Sequence, residues 1–338
     1  MHPTSKRRVH SVRLGWQQNG FTLVELLLAM MLMTILVLAI GGVAGQVVDT
    51  RDHVGETNEL NRQARFAMDQ MVRMLSHSRR LLLPLSDKTA TTFVENIREQ
   101  TIPASAPPPG SIFATAVLAV TLPATFDLDG NGIPDADNDG DGHFDEDLPQ
   151  DVTYDNKPGI VGIDDDGAGV VDHSFSPVAD DDESADFSEN EDPLNGIDDD
   201  GDGIVDEDPA SDTNGDACPG ICGVDDDGDN NVDEGGINDD DEDGLTDEDW
   251  YDPVVFYLNG DTLMQRTPVP WDESGGGTVS GLDFITSAIA ENVTRFRVER
   301  LPLTAVGVQL VDLTLELTSP DSGRAVSLTT RVRVGGAL

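Results

Sequence analysis

The stretch GFTLVELLLAMMLMTILVLAI, residues 20–40, decides how the rest of the chain is read. From Phe21 to Ala44 the chain is apolar apart from Thr22, Glu25 and Thr34. As a helix this run is long enough to cross a hydrocarbon layer of about 30 Å. Residues 1–20 carry Lys6, Arg7, Arg8 and Arg13 and no acid. The positive-inside rule keeps that basic leader cytoplasmic and places everything after Ala44 across the membrane. A secretory signal has a short apolar stretch and is cut behind it. Here the small residue, Gly20, stands in front, so a cut there leaves the hydrophobic helix on the mature chain. Glu25 puts a carboxylate inside the apolar run, a costly placement that calls for a partner.

Behind its basic leader, Gly20-Phe21-Thr22-Leu23-Val24-Glu25 resembles the recognition site of type IV prepilin peptidase. The resemblance implies cleavage between Gly20 and Phe21 and N-methylation of the new terminal amine of Phe21. It also implies that Glu25 pairs with the terminal amine of a neighbouring subunit as helices bundle into a filament.

Further along, Leu60, Ala64, Ala67, Met71, Met74 and Leu75 recur at three- and four-residue steps, while Arg62, Arg65, Asp69 and Arg73 fall elsewhere. That spacing predicts an amphipathic helix over 45–84, continuing the membrane helix of 21–44 and ended by Pro84. Its apolar stripe needs a sheet. Strands are expected at 112–122, 254–258, 262–266, 293–300, 308–318 and 325–334. In 308–318 the alternation Val308, Leu310, Leu313, Leu315, Leu317 slips near Asp312, which suggests a bulge. Asn259-Gly260-Asp261 and Pro320-Asp321-Ser322-Gly323 read as hairpin loops. The fold class expected is α+β, a long amino-terminal helix packed on an antiparallel sheet, with the β domain formed by 85–126 and 253–338. The Pro-rich 101–110 is a linker or exposed loop. With NRQARFAMDQMVRML (61–75), the stretches VVFYLNGDTLMQR (254–266), LDFITSAIAENVTRFRVERL (282–301) and LVDLTLELTSPDSGRAVSLTTRVRV (310–334) look like J-type minor pseudopilins of type II secretion and the related PilW-type minor pilins.

Between these halves lies an acidic insert. Residues 127–252 hold 47 of the chain's 65 acids and one of its 20 bases, Lys157. The remainder carries 18 acids and 19 bases and is close to neutral. Such a field disfavours nucleic acid and anionic surfaces as partners and favours cations. Five stretches repeat one pattern: DNDGDGHFDED (137–147), DDDGAGVVD (164–172), DDDGDGIVDED (198–208), DDDGDNNVDE (225–234) and DDDEDGLTDED (239–249). A weaker sixth is DLDGNGIPD (127–135). Acids fall at places 1, 3, 5 and 9, glycine at 6, and an apolar or β-branched residue at 8.

Calcium takes about 6–8 oxygen ligands at about 2.3–2.6 Å. Carboxylates at alternate places converge on one ion when the chain bends sharply at place 6, which glycine permits. The copies resemble EF-hand-like loops of the thrombospondin type 3 and dockerin sort, bound to several calcium ions. The expected ligands are Asp137, Asp139, Asp141 and Asp145; Asp164, Asp166 and Asp172; Asp198, Asp200, Asp202 and Asp206; Asp225, Asp227, Asp229 and Asp233; and Asp239, Asp241, Asp243 and Asp247. Ala168 replaces an acid at place 5 and Asn230 the glycine at place 6. No copy has glutamate at place 12, and acids at places 10 and 11, such as Glu207 and Asp208, stand in its stead. Place 8 is expected to pack against a neighbouring loop. Magnesium fits less well, because it holds its waters.

Cys218 and Cys222, the only cysteines, suit a local disulfide in an oxidising compartment or remain free thiols. The six histidines form no ligand or triad pattern, and no glycine-rich phosphate loop follows a strand, so no enzyme is expected. The expected place is the bacterial inner membrane, with a periplasmic carboxyl-terminal domain and then a filament tip. The expected partners are prepilin peptidase, other minor and major pilins or pseudopilins, and, through the insert, secreted substrate or a surface. The alternatives to type II secretion are type IV pilus biogenesis and calcium-dependent adhesion. Replacing Gly20 by alanine should leave the leader attached; a mature mass identical to wild type would overturn this reading of the amino terminus.

Overall fold

Thr22 starts the first element by a capping box. Its hydroxyl accepts from the Glu25 N–H at 3.3 Å, and its own N–H and hydroxyl donate to the Glu25 carboxylate, each at 2.9 Å. The helix that follows, α1, runs Leu23–His77. The computed structural model describes residues 22–85, 98–99, 117–163, 165, 171–172, 181, 192, 194, 208–213, 215, 217–224, 230–273, 275–301 and 308–336.

The chain divides into two compact units, Met1–Gly55 and Glu56–Leu338. In the first, Leu23–Ile40 is long and apolar enough to cross a membrane, and none of it is buried in protein. With apolar side chains all round, it has no face suited to water.

In the second unit α1 carries the expected stripe. Leu60, Ala64, Ala67, Met71, Met74 and Leu75 are all buried, while Arg62, Arg65, Asp69 and Arg73 are exposed. The helix ends at His77, short of Pro84. The next residues turn instead into a strand, and the Ser78 hydroxyl caps the change by donating to Arg80 O at 2.8 Å.

Among the described residues nine strands follow: β1 Leu81–Leu83, β2 Arg98–Glu99, β3 Leu118–Thr121, β4 Pro253–Asn259, β5 Thr262–Pro268, β6 Phe284–Ala290, β7 Val293–Arg300, β8 Leu310–Thr318 and β9 Ala325–Arg333. They form two antiparallel sheets rather than one, ordered β1-β3-β4-β5-β6 and β2-β7-β8-β9. Leu118, Val254 and Phe256 from the first and Phe296, Leu313 and Leu315 from the second share a core with the α1 stripe. Both hairpin loops form as read, Gly260-Asp261 between β4 and β5 and Pro320–Gly323 between β8 and β9. The bulge expected near Asp312 is absent: β8 pairs with β9 in unbroken register and buries Val311, Leu313, Leu315 and Leu317. Leu310 belongs to the opposite face, and the irregularity lies in β7 between Val293 and Arg295.

The acidic insert is the connection from β3 to β4. Those strands are paired, with Thr121 opposite Pro253, and Leu122 N–H donates to Asp252 O at 2.9 Å, so the insert leaves and returns at one point. Loop closure grows only slowly with length, which lets a hairpin tolerate so large an insertion. The insert then folds back over the outer face of the first sheet. Val254 and Phe256 of β4 face the helix, whereas Val255 and Tyr257 pack with Ile160 and Ile163 of the insert. Burial on both faces explains why β4 reads as an unbroken apolar run. Arg266 of β5, itself buried, donates to Val161 O at 2.7 Å and lies 4.4 Å over the Phe284 ring. Gly281 admits the insert backbone: a Cβ there would stand 1.9 Å from Thr153 O. Replacing Ile163 by alanine should cost about 2–5 kcal/mol of local stability. Hydrogen exchange should rise across 148–163 while β8 stays protected.

Candidate metal centre

Among the described residues, three copies of the repeat share one ladder of backbone hydrogen bonds. In 137–147 the carboxylate at place 1, Asp137, accepts from Gly142 N–H at 3.1 Å. Asp139 accepts from Asp141 N–H at 3.0 Å, and Asp141 from His143 N–H at 2.6 Å. In 239–249 the same links join Gly244 to Asp239, Asp243 to Asp241 and Leu245 to Asp243, at 3.4, 3.2 and 2.7 Å. In 127–135 they join Gly132 to Asp127, Asn131 to Asp129 and Ile133 to Asn131, at 3.1, 2.9 and 2.6 Å. Each place-6 glycine has positive φ: 90° at Gly132, 105° at Gly142 and 91° at Gly244. That left-handed turn lets the place-1 carboxylate reach across the loop. Carboxylate oxygens of Asp137, Asp139 and Asp141 lie within 4.8 Å of one another, as do those of Asp127, Asp129 and Asp135.

Two further turns of this kind carry no glycine at place 6. Asn156, at φ 61°, donates to Asp151 at 2.7 Å, and Ala217, at φ 65°, donates to Asp212 at 3.0 Å. Asp155 adds a third buried carboxylate beside Asp151 and Asp181. The alternate-place spacing Asp151-x-Thr153-x-Asp155 was present in the sequence, but without glycine it did not stand out.

Among the expected ligands, Asp145 and Asp247 at place 9 take part in a contact between loops. Asp249 accepts from Asn138 N–H at 3.0 Å and Asp145 N–H at 2.5 Å. In return Asp147 accepts from Asp240 N–H at 3.1 Å and Asp247 N–H at 2.8 Å. The place-11 acid of each loop thus holds places 2 and 9 of the other. Asp172 and Asp233 are engaged differently, accepting from Gly162 N–H at 2.6 Å and Gly223 N–H at 2.7 Å. Asp164, Asp166, Asp198, Asp200, Asp202, Asp206, Asp225, Asp227 and Asp229 lie outside the described residues, as do Gly20 and Phe21. Three described place-8 residues do not pack between loops: Phe144 is part-buried against the helix–sheet core, and Val232 and Thr246 are exposed, while Val205 lies outside the described residues. Arg79 lies 4.0 Å over the Phe144 ring and donates to Phe144 O at 2.7 Å. Cys218 and Cys222 are paired, with Cα atoms 5.2 Å apart.

The electrostatics of the insert are those of carboxylates withdrawn from water next to one another. Burial, then the Asp249 charge, pushes Asp145 up to about 7 and Glu146 up to about 9. Burial, then contact with Asp147, pushes Glu248 up to about 9. Burial also raises Asp155 and Asp240 to about 7 and Asp241 to about 6, and holds Asp181 and Asp252 well above the usual carboxylate range. Both carboxylate oxygens of Asp145, Glu146 and Glu248 are shut off from solvent without a hydrogen-bond partner. Such groups need a proton or a cation. A hard divalent ion fits an all-oxygen donor set of this kind.

At the other end of the chain, Glu25 is exposed and bound only within its own capping box among the described residues. Residues 17–41 match the family described as the prokaryotic N-terminal methylation motif. The amino terminus is type IV pilin-like. Its motif is the one on which prepilin peptidase acts, and the apolar helix behind it is suited to membrane anchoring. No curated protein and no solved structure matches the chain.

The raised carboxylates set a pH dependence for the cation-free chain. A carboxyl whose folded pKa lies above its unfolded value stabilises the fold below the unfolded value and loses that contribution as pH rises through the folded one. The insert stripped of divalent ions should therefore be tightest near pH 4 and loosen across about pH 6–9, the range of Asp241, Asp145 and Glu146. Hydrogen exchange in a chelator, corrected for its intrinsic pH dependence, should show protection of 137–147 falling over that window; uniform protection would contradict it.

Proposed function

We propose that the chain is a minor pseudopilin, cut between Gly20 and Phe21, methylated at Phe21, and assembled at the tip of a type II secretion pseudopilus. The observation that carries this reading is the methylation motif over 17–41 leading directly into a single helix, Leu23–His77, whose second half is the core helix of a two-sheet domain. In this reading the apolar half anchors the subunit in the inner membrane before assembly. Glu25 exchanges its local contact with Thr22 for the amine of a neighbouring subunit. The β domain meets the other minor subunits on the periplasmic side.

The insert is, in the same proposal, a calcium-ordered module. Its support is the shared ladder in 127–135, 137–147 and 239–249, together with carboxylate oxygens that are buried and without partners. Extracellular calcium modules bind at about 10⁻⁴–10⁻³ M, which suits a subunit that orders only after leaving the cytoplasm. Ile221, Val232, Ile237 and Leu245 are exposed apolar side chains on the insert, and they favour a second role for it in contacting secreted substrate or a surface.

Joining residue 126 to residue 253 separates the two roles. The ends already meet at the Thr121–Pro253 pair, so the shortened chain should keep its strand pairing, less stable for the uncovered Val255 and Tyr257, and be processed and support secretion while losing any insert-dependent contact. Loss of a folded, processed subunit would show that the insert belongs to the scaffold itself. For calcium, the full chain in detergent micelles should gain exchange protection in 127–147 and 239–252 at millimolar calcium and pH 7; unchanged exchange would rule out the calcium reading.

A further inference from the structure

We infer that loops 137–147 and 239–249 form one two-cation unit, each loop supplying a carboxylate that closes the other's site, so that divalent cations clamp the two ends of the insert together. This rests on reading the loops as calcium sites and adds how the sites are completed and coupled.

Neither loop is complete alone. Both lack the place-12 glutamate, having Leu148 and Trp250 there, and both of those side chains are buried in packing. What fills the gap comes from across the pair. Carboxylate oxygens of Asp241 and Glu248 lie within 4.8 Å of Asp147 in the other loop, and those of Asp243 and Glu248 lie within 4.8 Å of Asp139. The mirror arrangement places Glu146 against Asp249, with Asp139 and Asp141 beside it. The backbone clasp is reciprocal in the same sense, Asp249 on Asn138 and Asp145, Asp147 on Asp240 and Asp247.

The second observation is independent of acidity. Asp145, Glu146 and Glu248 shield both carboxylate oxygens from solvent, and Asp247 shields one, with no N–H or hydroxyl donor to meet them; Glu146 and Glu248 instead stand carboxyl against carboxyl with Asp249 and Asp147 of the other loop. An acid left exposed for solubility would point the other way. Ligands shared in this manner couple the sites. An ion in one loop fixes the place-11 acid that the other site needs, so the second ion binds to a loop already ordered. The loops lie near the two ends of the β3–β4 connection, 137–147 after the copy at 127–135 and 239–249 shortly before β4, and Arg79 and Arg80, just past the end of α1, reach Phe144 within the first loop of the pair and Tyr251 just after the second. Cations would therefore close the neck of the insert onto the helix–sheet core.

The test uses the full chain in detergent micelles at pH 7, titrated with calcium and followed by hydrogen exchange of peptides covering 137–147 and 239–249. In wild type both peptides should become protected together, with a Hill coefficient above 1. Glu146→Gln and Glu248→Gln keep the size and polarity of each side chain while removing the carboxylate that a cation would bind, so the cation-free fold is retained. Each should raise the calcium midpoint of both peptides by about tenfold, the scale on which ligand charge tunes such loops. Asp249→Asn should do the same to 137–147, which lies 111 residues away in chain between Asn138 and Asp249. A shift confined to the substituted loop, or two independent midpoints in wild type, overturns the shared unit while leaving calcium binding intact. No calcium-dependent protection in wild type overturns the calcium reading itself.

Discussion

A single helix here has to satisfy two different solvents. Over Leu23–Ile40 its side chains are apolar all round, which only lipid or other helices can solvate, whereas from Leu60 onward the apolar residues narrow to one stripe. Isolated helices in water draw little stability from propensity, so the second half depends on what covers that stripe. Two sheets do so together. Ala64, Ala67 and Met71 are completely buried, and the small alanines let the strands approach the helix closely. Burying a leucine or methionine of the stripe contributes on the order of 1.5–3 kcal/mol, so the stripe accounts for much of what holds β3, β4, β7 and β8 in place.

Because β4 is covered by the helix on one face, its other face determines what the insert must be. Val255 and Tyr257 would lie open to water if the β3–β4 connection were a short turn. Instead Ile160 and Ile163 cover them, and the Arg266 guanidinium fixes the backbone at Val161. The insert thus joins an apolar underside, which needs no cation, to acidic loops that need protons or cations to stay compact. Its stability is split accordingly, and the pH sensitivity set by the raised carboxylates is confined to the insert rather than spread through the domain.

Much of this was legible in the chain itself. The stripe from Leu60 to Leu75, the two hairpin turns and six strands follow from local periodicity, because each signal lies within one element. What escaped was non-local. Leu81–Leu83 is too short to show a period, and Phe284–Ala290, largely exposed at a sheet edge, alternates poorly. That the strands divide into two sheets is decided by pairing across the helix, which no local pattern encodes. The carboxylate ladder was readable wherever glycine marked place 6 and hidden where Asn156 and Ala217 adopt the same left-handed turn. The link between Asp147 and Asp249 was invisible for the same reason as the sheet order: its partners are brought together only by the β3–β4 register.

That link bears on why the repeats occur as an array. A self-contained EF-hand takes its twelfth-place glutamate from the helix that follows the loop. Here Pro149, Pro209 and Trp250 stand where such a helix would begin, and proline removes the backbone donor its interior requires. A loop without that helix has to borrow its last carboxylate from outside. One copy added alone to a hairpin would leave an open site and several unpaired charges, raising the cost of the fold with no ion to offset it. Two copies at the ends of one connection, held face to face by a strand register that already exists, can complete each other. In the proposed cation unit the paired strands therefore do more than tolerate the insert: they supply the geometry in which incomplete loops would become sufficient.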